Sequence, residues 1–180
     1  MTQPNQRIIA VFGGSRPAPD SPEYAEAFAI GRLLAQQGFT VMNGGYAGTM
    51  EASARGAKEQ GGATIGVLTG EFDGLAPNPF LDETTTMADL FSRIREMHRR
   101  ADGFIVLKGS MGTLAELTLV WNLAKIDARH RKPIILLGEG WARVVRAWRE
   151  HLAVTDEETE LLKCSSSPED AVSYLVKNLA

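Results

Sequence analysis

The sequence predicts a doubly wound α/β domain, with a mainly parallel sheet and helices on both faces. Short apolar runs alternate with longer segments of helical period along the 180 residues, and that alternation means parallel strands joined by right-handed crossovers. Runs such as RIIAVFG (7–13) and PIILLG (133–138) are apolar at consecutive positions, as in strands covered on both sides. Three glycine turns directly follow predicted strands. The length suits a single domain over 1–180 and falls short of the roughly 250 residues that a barrel of eight strand–helix units needs.

Taken in order, RIIAVFG is the first strand. The segment from Ser21 to Gly38 then places Ala25, Phe28, Ala29, Leu33 and Leu34 on one helical face, with Gly38 where a closing glycine belongs. FTVM (39–42) is the second strand, and Thr49 to Gln60 is an alanine-rich helix closed by Gly61 and Gly62. ATIGVL (63–68) is the third strand. Pro77 and Pro79 forbid a helix interior in the less periodic stretch 70–84. FLDETT (80–85) holds a short fourth strand, and Met87 to Arg100 reads as a helix. GFIVL (103–107) is the fifth strand, followed by a helix from Gly112 to Lys125 and the sixth strand PIILLG. A helix from Trp141 to His151, a short strand LLKC (161–164) and a helix from Pro168 to Leu179 complete the chain. Ser167 caps the last helix, Pro168 occupies its first turn, and Glu169 and Asp170 favour its positive end.

Composition narrows the function. A net charge of −3 without a basic arm argues against nucleic-acid binding, which rests largely on phosphate neutralisation. One cysteine, Cys164, rules out an internal disulfide and a four-thiolate zinc site. His98, His130 and His151 show no ligand spacing with acids or the cysteine, so no metal is expected. No apolar run reaches the roughly 18 residues of a membrane span. The opening MTQPNQRIIAVFGG lacks the apolar core of a signal peptide, and the expected location is the cytoplasm.

The chemistry concentrates in the turns GGSRP (13–17), NGGYAGTM (43–50) and KGSMGT (108–113). All three fall at C-terminal strand ends, where open α/β sheets bind ligands. Gly14, Ser15 and Arg16 face this edge from the first turn. Asn43 to Met50 supplies Gly44, Gly45 and Gly48 for close backbone approach, together with Thr49 and Met50. Asn43 suits a ligand contact or a hydrogen bond within its own turn, and Tyr46 suits stacking on a base or covering the sheet edge. Gly109, Ser110, Met111, Gly112 and Thr113 offer backbone N–H groups and hydroxyls at a helix start, a ready anion site. Neither G-x-G-x-x-G nor a G-x-x-x-x-G-K-[ST] loop is present, so dinucleotide binding and NTP hydrolysis are disfavoured.

These motifs resemble the LOG (Lonely Guy) family over about residues 8–137. Phe12-Gly13-Gly14-Ser15-Arg16 is similar to the family's FCGSS turn, and Asn43 to Met50 to its GGGxxGLM turn. Lys108 to Glu116, KGSMGTLAE, resembles PGGxGTxxE with the proline and second glycine replaced. By register, the family's MHxRK motif falls on Leu90 to Ile94, and only its arginine is kept, as Arg93. Members of the family often carry the label of possible lysine decarboxylases. The resemblance implies a Rossmann-like fold, a homodimer, and cleavage of a nucleoside 5'-monophosphate to free base and ribose 5-phosphate without a cofactor. It makes Glu116 and Arg93 the catalytic pair.

A carboxylate is suited to that role because N-glycosidic cleavage develops cationic character on the ribose. Glu116 would stabilise that charge or activate water, and Arg93 would bind phosphate or orient the sugar and Glu116 through its planar fork. The plainer readings are a glutamate favouring its helix dipole and a surface arginine. Lys108 replaces a stiff proline with a mobile charge, either on the phosphate or in solvent. The competing function is a non-catalytic nucleotide- or phosphoanion-binding protein, similar to a molybdenum-cofactor carrier. The helix Glu116 to Lys125 is apolar on most sides, which fits burial either in a dimer or inside the monomer.

Overall fold

In a computed structural model, described for residues 6–72 and 74–179, seven strands lie in one sheet. They are β1 (Ile8–Phe12), β2 (Thr40–Asn43), β3 (Thr64–Thr69), β4 (Glu83–Met87), β5 (Gly103–Val106), β6 (Ile134–Leu137) and β7 (Leu162–Ser165). Their order is β4-β3-β2-β1-β5-β6-β7, and every pairing is parallel. The order reverses between β1 and β5, which creates the crevice where this Rossmann-like topology places ligands.

The helices are α1 (Pro22–Gln36), α2 (Thr49–Glu59), α3 (Leu90–Arg100), α4 (Met111–Ile126), α5 (Glu139–His151), α6 (Asp156–Thr159) and α7 (Pro168–Leu179). Strand side chains alternate between two cores. Ile9 and Val11 of β1 join Ile30 and Leu34 of α1, Ala52 of α2 and Leu175 of α7. Ala10 and Phe12 join Met97 of α3, Leu117 and Val120 of α4, and Trp141 of α5. The sheet is thus covered on both faces, which accounts for its continuous apolar strands.

The largest departures from the sequence expectation fall at β4 and the start of α3. The fourth strand runs over Glu83–Met87 and pairs with β3 along its whole length, so Met87 ends a strand instead of starting a helix. The helix starts later because Asp89 and Ser92 cap it reciprocally: the Asp89 carboxylate accepts from the Ser92 N–H at 2.7 Å, and the Ser92 hydroxyl accepts from the Asp89 N–H at 3.2 Å. The polar ETTTM segment sits at the sheet edge, where alternate exposure replaces a continuous apolar run. The unforeseen α6 starts with the same kind of cap, Thr155 with Glu158.

Helices α1 and α2 approach so closely that glycines are required at the crossing. A Cβ on Gly56 would stand 2.1 Å from the Phe28 carbonyl oxygen, and one on Gly31 would stand 2.0 Å from that of Ser53. Gly56→Ala is expected to destabilise the protein by about 1–3 kcal/mol through overpacking, read as a lower urea midpoint; an unchanged midpoint would show that the helices separate freely.

Candidate ligand-binding site

The first two turns are locked together before any ligand is considered. Both the N–H and the hydroxyl of Thr49 donate to the Gly14 carbonyl, at 2.9 and 3.1 Å. Gly48 has φ +70°, and a Cβ there would meet the Gly14 oxygen at 2.5 Å, so only glycine lets the turns touch. Asn43 is fully buried and hydrogen-bonded within its own segment. Its amide donates to the Met50 carbonyl at 2.9 Å and the Ser53 hydroxyl at 3.2 Å, and its oxygen accepts from the Gly45 N–H at 2.8 Å. Gly44, Gly45, Thr49 and Met50 are buried with it. The second turn therefore forms a rigid floor.

Beneath that floor lies a clasp. Arg93, 6% exposed, donates from Nε to the Val67 carbonyl at 2.7 Å and from Nη2 to the Gly44 carbonyl at 3.1 Å. Its Nη1 stands 3.7 Å from Glu116 Oε1, and its guanidinium lies 5.9 Å from the centre of the Tyr46 ring. A Cβ on Gly44 would come within 1.9 Å of Nη2, so the glycine makes room for the arginine. The Tyr46 hydroxyl bridges the N–H and carbonyl of Thr69, each at 3.2 Å, and its ring packs against Arg93 and Phe72. Glu116 is 7% exposed. Burial pushes its carboxyl up to about 7, against the pull of Arg93.

The first and third turns form an exposed rim. Ser15, Arg16 and Lys108 to Gly112 face solvent, whereas Gly14 and Thr113 are buried. Ser110 caps α4 without a side-chain hydrogen bond, which leaves the first N–H groups of that helix available. A cavity of about 440 Å³ opens here, lined in part by Gly14, Ser15, Arg16, Lys108, Gly109 and Ser110. Lys108 points across it and pairs with Glu23 of α1 at 2.9 Å. Arg93 and Glu116 line neither this cavity nor its larger neighbour, an 830 Å³ chamber walled by Trp141, Trp148 and Leu114 and sharing Glu23, Lys108 and Gly109 with the first. Glu23 and the tryptophan wall carry no local motif; their only sequence trace is the seven-residue spacing of Trp141 and Trp148 along one helix face.

The raised pKa of Glu116 has a consequence for stability. Between pH 4.5, its ordinary value, and about 7 the folded protein keeps a proton that the unfolded chain releases. That contribution is complete below pH 4.5 and is lost as pH rises through 7. At about 1.4 kcal/mol per unit, the stability of the wild type relative to Glu116→Gln should fall by up to about 3 kcal/mol between pH 4.5 and 8. Paired urea titrations across this range check it; parallel profiles would contradict the buried, proton-holding Glu116.

The SLOG cluster4 family model matches residues 6–172. The chain is 35% identical over 157 residues to a cytokinin riboside 5'-monophosphate phosphoribohydrolase of Mycobacterium marinum, covering 85% of this chain and 82% of that protein. It is also 35% identical to the Mycobacterium tuberculosis protein of the same name, covering 75% of each. In fold it is similar to the molybdenum cofactor binding protein of Rippkaea orientalis, with a TM-score of 0.79 and 24% identity over 98% of this chain and 99% of that one. Turn chemistry, strand order and sequence similarity thus agree: the chain belongs to the SLOG cluster4 family and is a divergent LOG-family member.

Proposed function

We propose that this protein binds a phosphorylated small molecule of the nucleotide class at the β1–β5 crevice and holds it without cleaving it. The supporting observation is the division of the site. The uncapped start of α4, with Ser15, Arg16 and Lys108 around it, opens into a cavity, while Glu116 is buried outside that lining. Backbone N–H groups at a helix start suit a phosphate dianion, and Lys108 adds a mobile charge. Its exposed pair with Glu23 contributes little, so the lysine is free to turn toward a phosphate. Glu116 is held beside Arg93 beneath a rigid turn and outside the cavity lining, an arrangement that favours structural support over attack on a sugar. The molybdenum-cofactor-binding protein of similar fold makes a carrier role, with such a cofactor as cargo, the natural form of this function.

The second reading is hydrolysis of a nucleoside 5'-monophosphate. It is favoured by the Arg93–Glu116 pair and by the phosphoribohydrolases named above. There Glu116, ionised above pH 7, would face the ribosyl cation while Arg93 holds it in place, after an opening that brings both into the crevice. A homodimer in the cytoplasm fits either reading.

Free-base release and calorimetric binding, measured with adenosine and guanosine 5'-monophosphates, separate the two. Saturable binding with no base released, and an affinity unchanged within about threefold in Glu116→Gln, is the expected result. Base release that Glu116→Gln abolishes would establish the hydrolase instead.

A further inference from the structure

The 830 Å³ chamber lies next to the phosphate cavity, beyond the Lys108–Glu23 pair, between the start of α1 and the start of α5. One side is aromatic and fixed in place. Trp148 stacks on Trp121 at 5.4 Å between ring centres and tilts against Trp141 at 6.4 Å, and the Trp121 indole is anchored by its N–H to the Glu158 carbonyl at 2.7 Å. Leu114, Leu137 and Val144 complete the apolar wall. The facing side carries Glu26, half-buried on α1. Burial first, and then the negative charge of Glu23, pushes its carboxyl up. Glu23 is neutralised by Lys108, but no hydrogen-bond donor or cation among the described residues reaches Glu26.

We infer that this chamber is a ring-binding subsite for a planar nitrogen heterocycle with N–H donors, with Trp141 and Trp148 as its apolar wall and Glu26 accepting the ring's hydrogen bonds. This inference rests on the phosphate site proposed above, because the shared border at Glu23, Lys108 and Gly109 makes the two cavities a single cleft for a bipartite ligand. Each half matches one part of a nucleotide. The α4 start takes the anion, and the chamber takes a flat, largely apolar ring whose few polar groups need placed partners. A partly desolvated carboxylate without a donor is costly, and an amino or ring N–H supplies a charge-assisted hydrogen bond that a hydrocarbon ring does not. Lys108 stands where the two halves meet, so its move from Glu23 to the phosphate would open the border between them.

The test is tryptophan fluorescence and calorimetry on the full chain, with adenosine 5'-monophosphate, guanosine 5'-monophosphate and ribose 5-phosphate as ligands. At least one nucleotide should quench the fluorescence and bind about tenfold or more tightly than ribose 5-phosphate. Glu26→Ala and Val144→Phe, one removing the acceptor and one filling the chamber from its half-exposed rim, should each erase most of that margin. Both should leave ribose 5-phosphate affinity unchanged, which also shows that the variants are folded. If the nucleotides bind no better than ribose 5-phosphate, or keep their margin in both variants, the ring subsite is refuted while the phosphate site stands. If ribose 5-phosphate itself does not bind, the phosphate site fails and the ring subsite with it.

Discussion

A buried guanidinium organises the top of this sheet. A charge this deep persists only when its donors are satisfied and a counter-charge is near. Arg93 meets that condition by reaching from α3 to the end of β3, to the turn after β2 and to the first turns of α4. Four segments far apart in sequence are thereby fixed relative to one another. Gly44 is a glycine because Arg93 fills the space a side chain would need, and Glu116 is buried because Arg93 stands beside it. Removing Arg93 would strip the Val67 and Gly44 carbonyls of their donors and leave Glu116 without its partner, whereas Glu116→Gln, close in shape to the protonated acid, keeps the clasp packed.

The rim inherits its shape from that clasp. With the Asn43–Met50 turn held from below by Arg93 and bonded to Gly14 through Thr49, the first turn has one place to lie. It faces the start of α4 across the reversal of strand order. The polar groups there are backbone N–H groups, hydroxyls and two exposed cations, Arg16 and Lys108, while the buried acid lies behind. A floor made of internally satisfied hydrogen bonds and a rim of available ones suit capture and release of an anion.

Much of this was legible in the sequence, for local reasons. Strand and helix order follow from periodicity, and the three turns follow from glycine clusters after apolar runs. Arg93 and Glu116 emerge as a pair only through family register, since nothing local marks an arginine among Arg95, Arg99 and Arg100 as the buried one. The boundary at Met87 is not legible in the sequence because ETTTM is an edge strand without a continuous apolar run, and the following helix starts where the Asp89–Ser92 cap sets it. The sequence allows Asn43 either a ligand or its own turn, and the fold commits its side chain to Gly45, Met50 and Ser53. The Trp141–Trp148 wall and Glu26 were not legible, because they converge from α5 and α1 only when the sheet brings both helix starts to the same edge.

The most direct test of the central claim, that ligand enters at the rim while the arginine clasp stays closed, is an amide-resolved NMR titration with ribose 5-phosphate. Shifts concentrated at Gly14 to Arg16 and Gly109 to Thr113, with the Arg93 side-chain Nε–H signal unmoved, are the predicted result. Shifts centred on Tyr46, Arg93 and Glu116, with the rim silent, would contradict it and place the ligand on the buried pair.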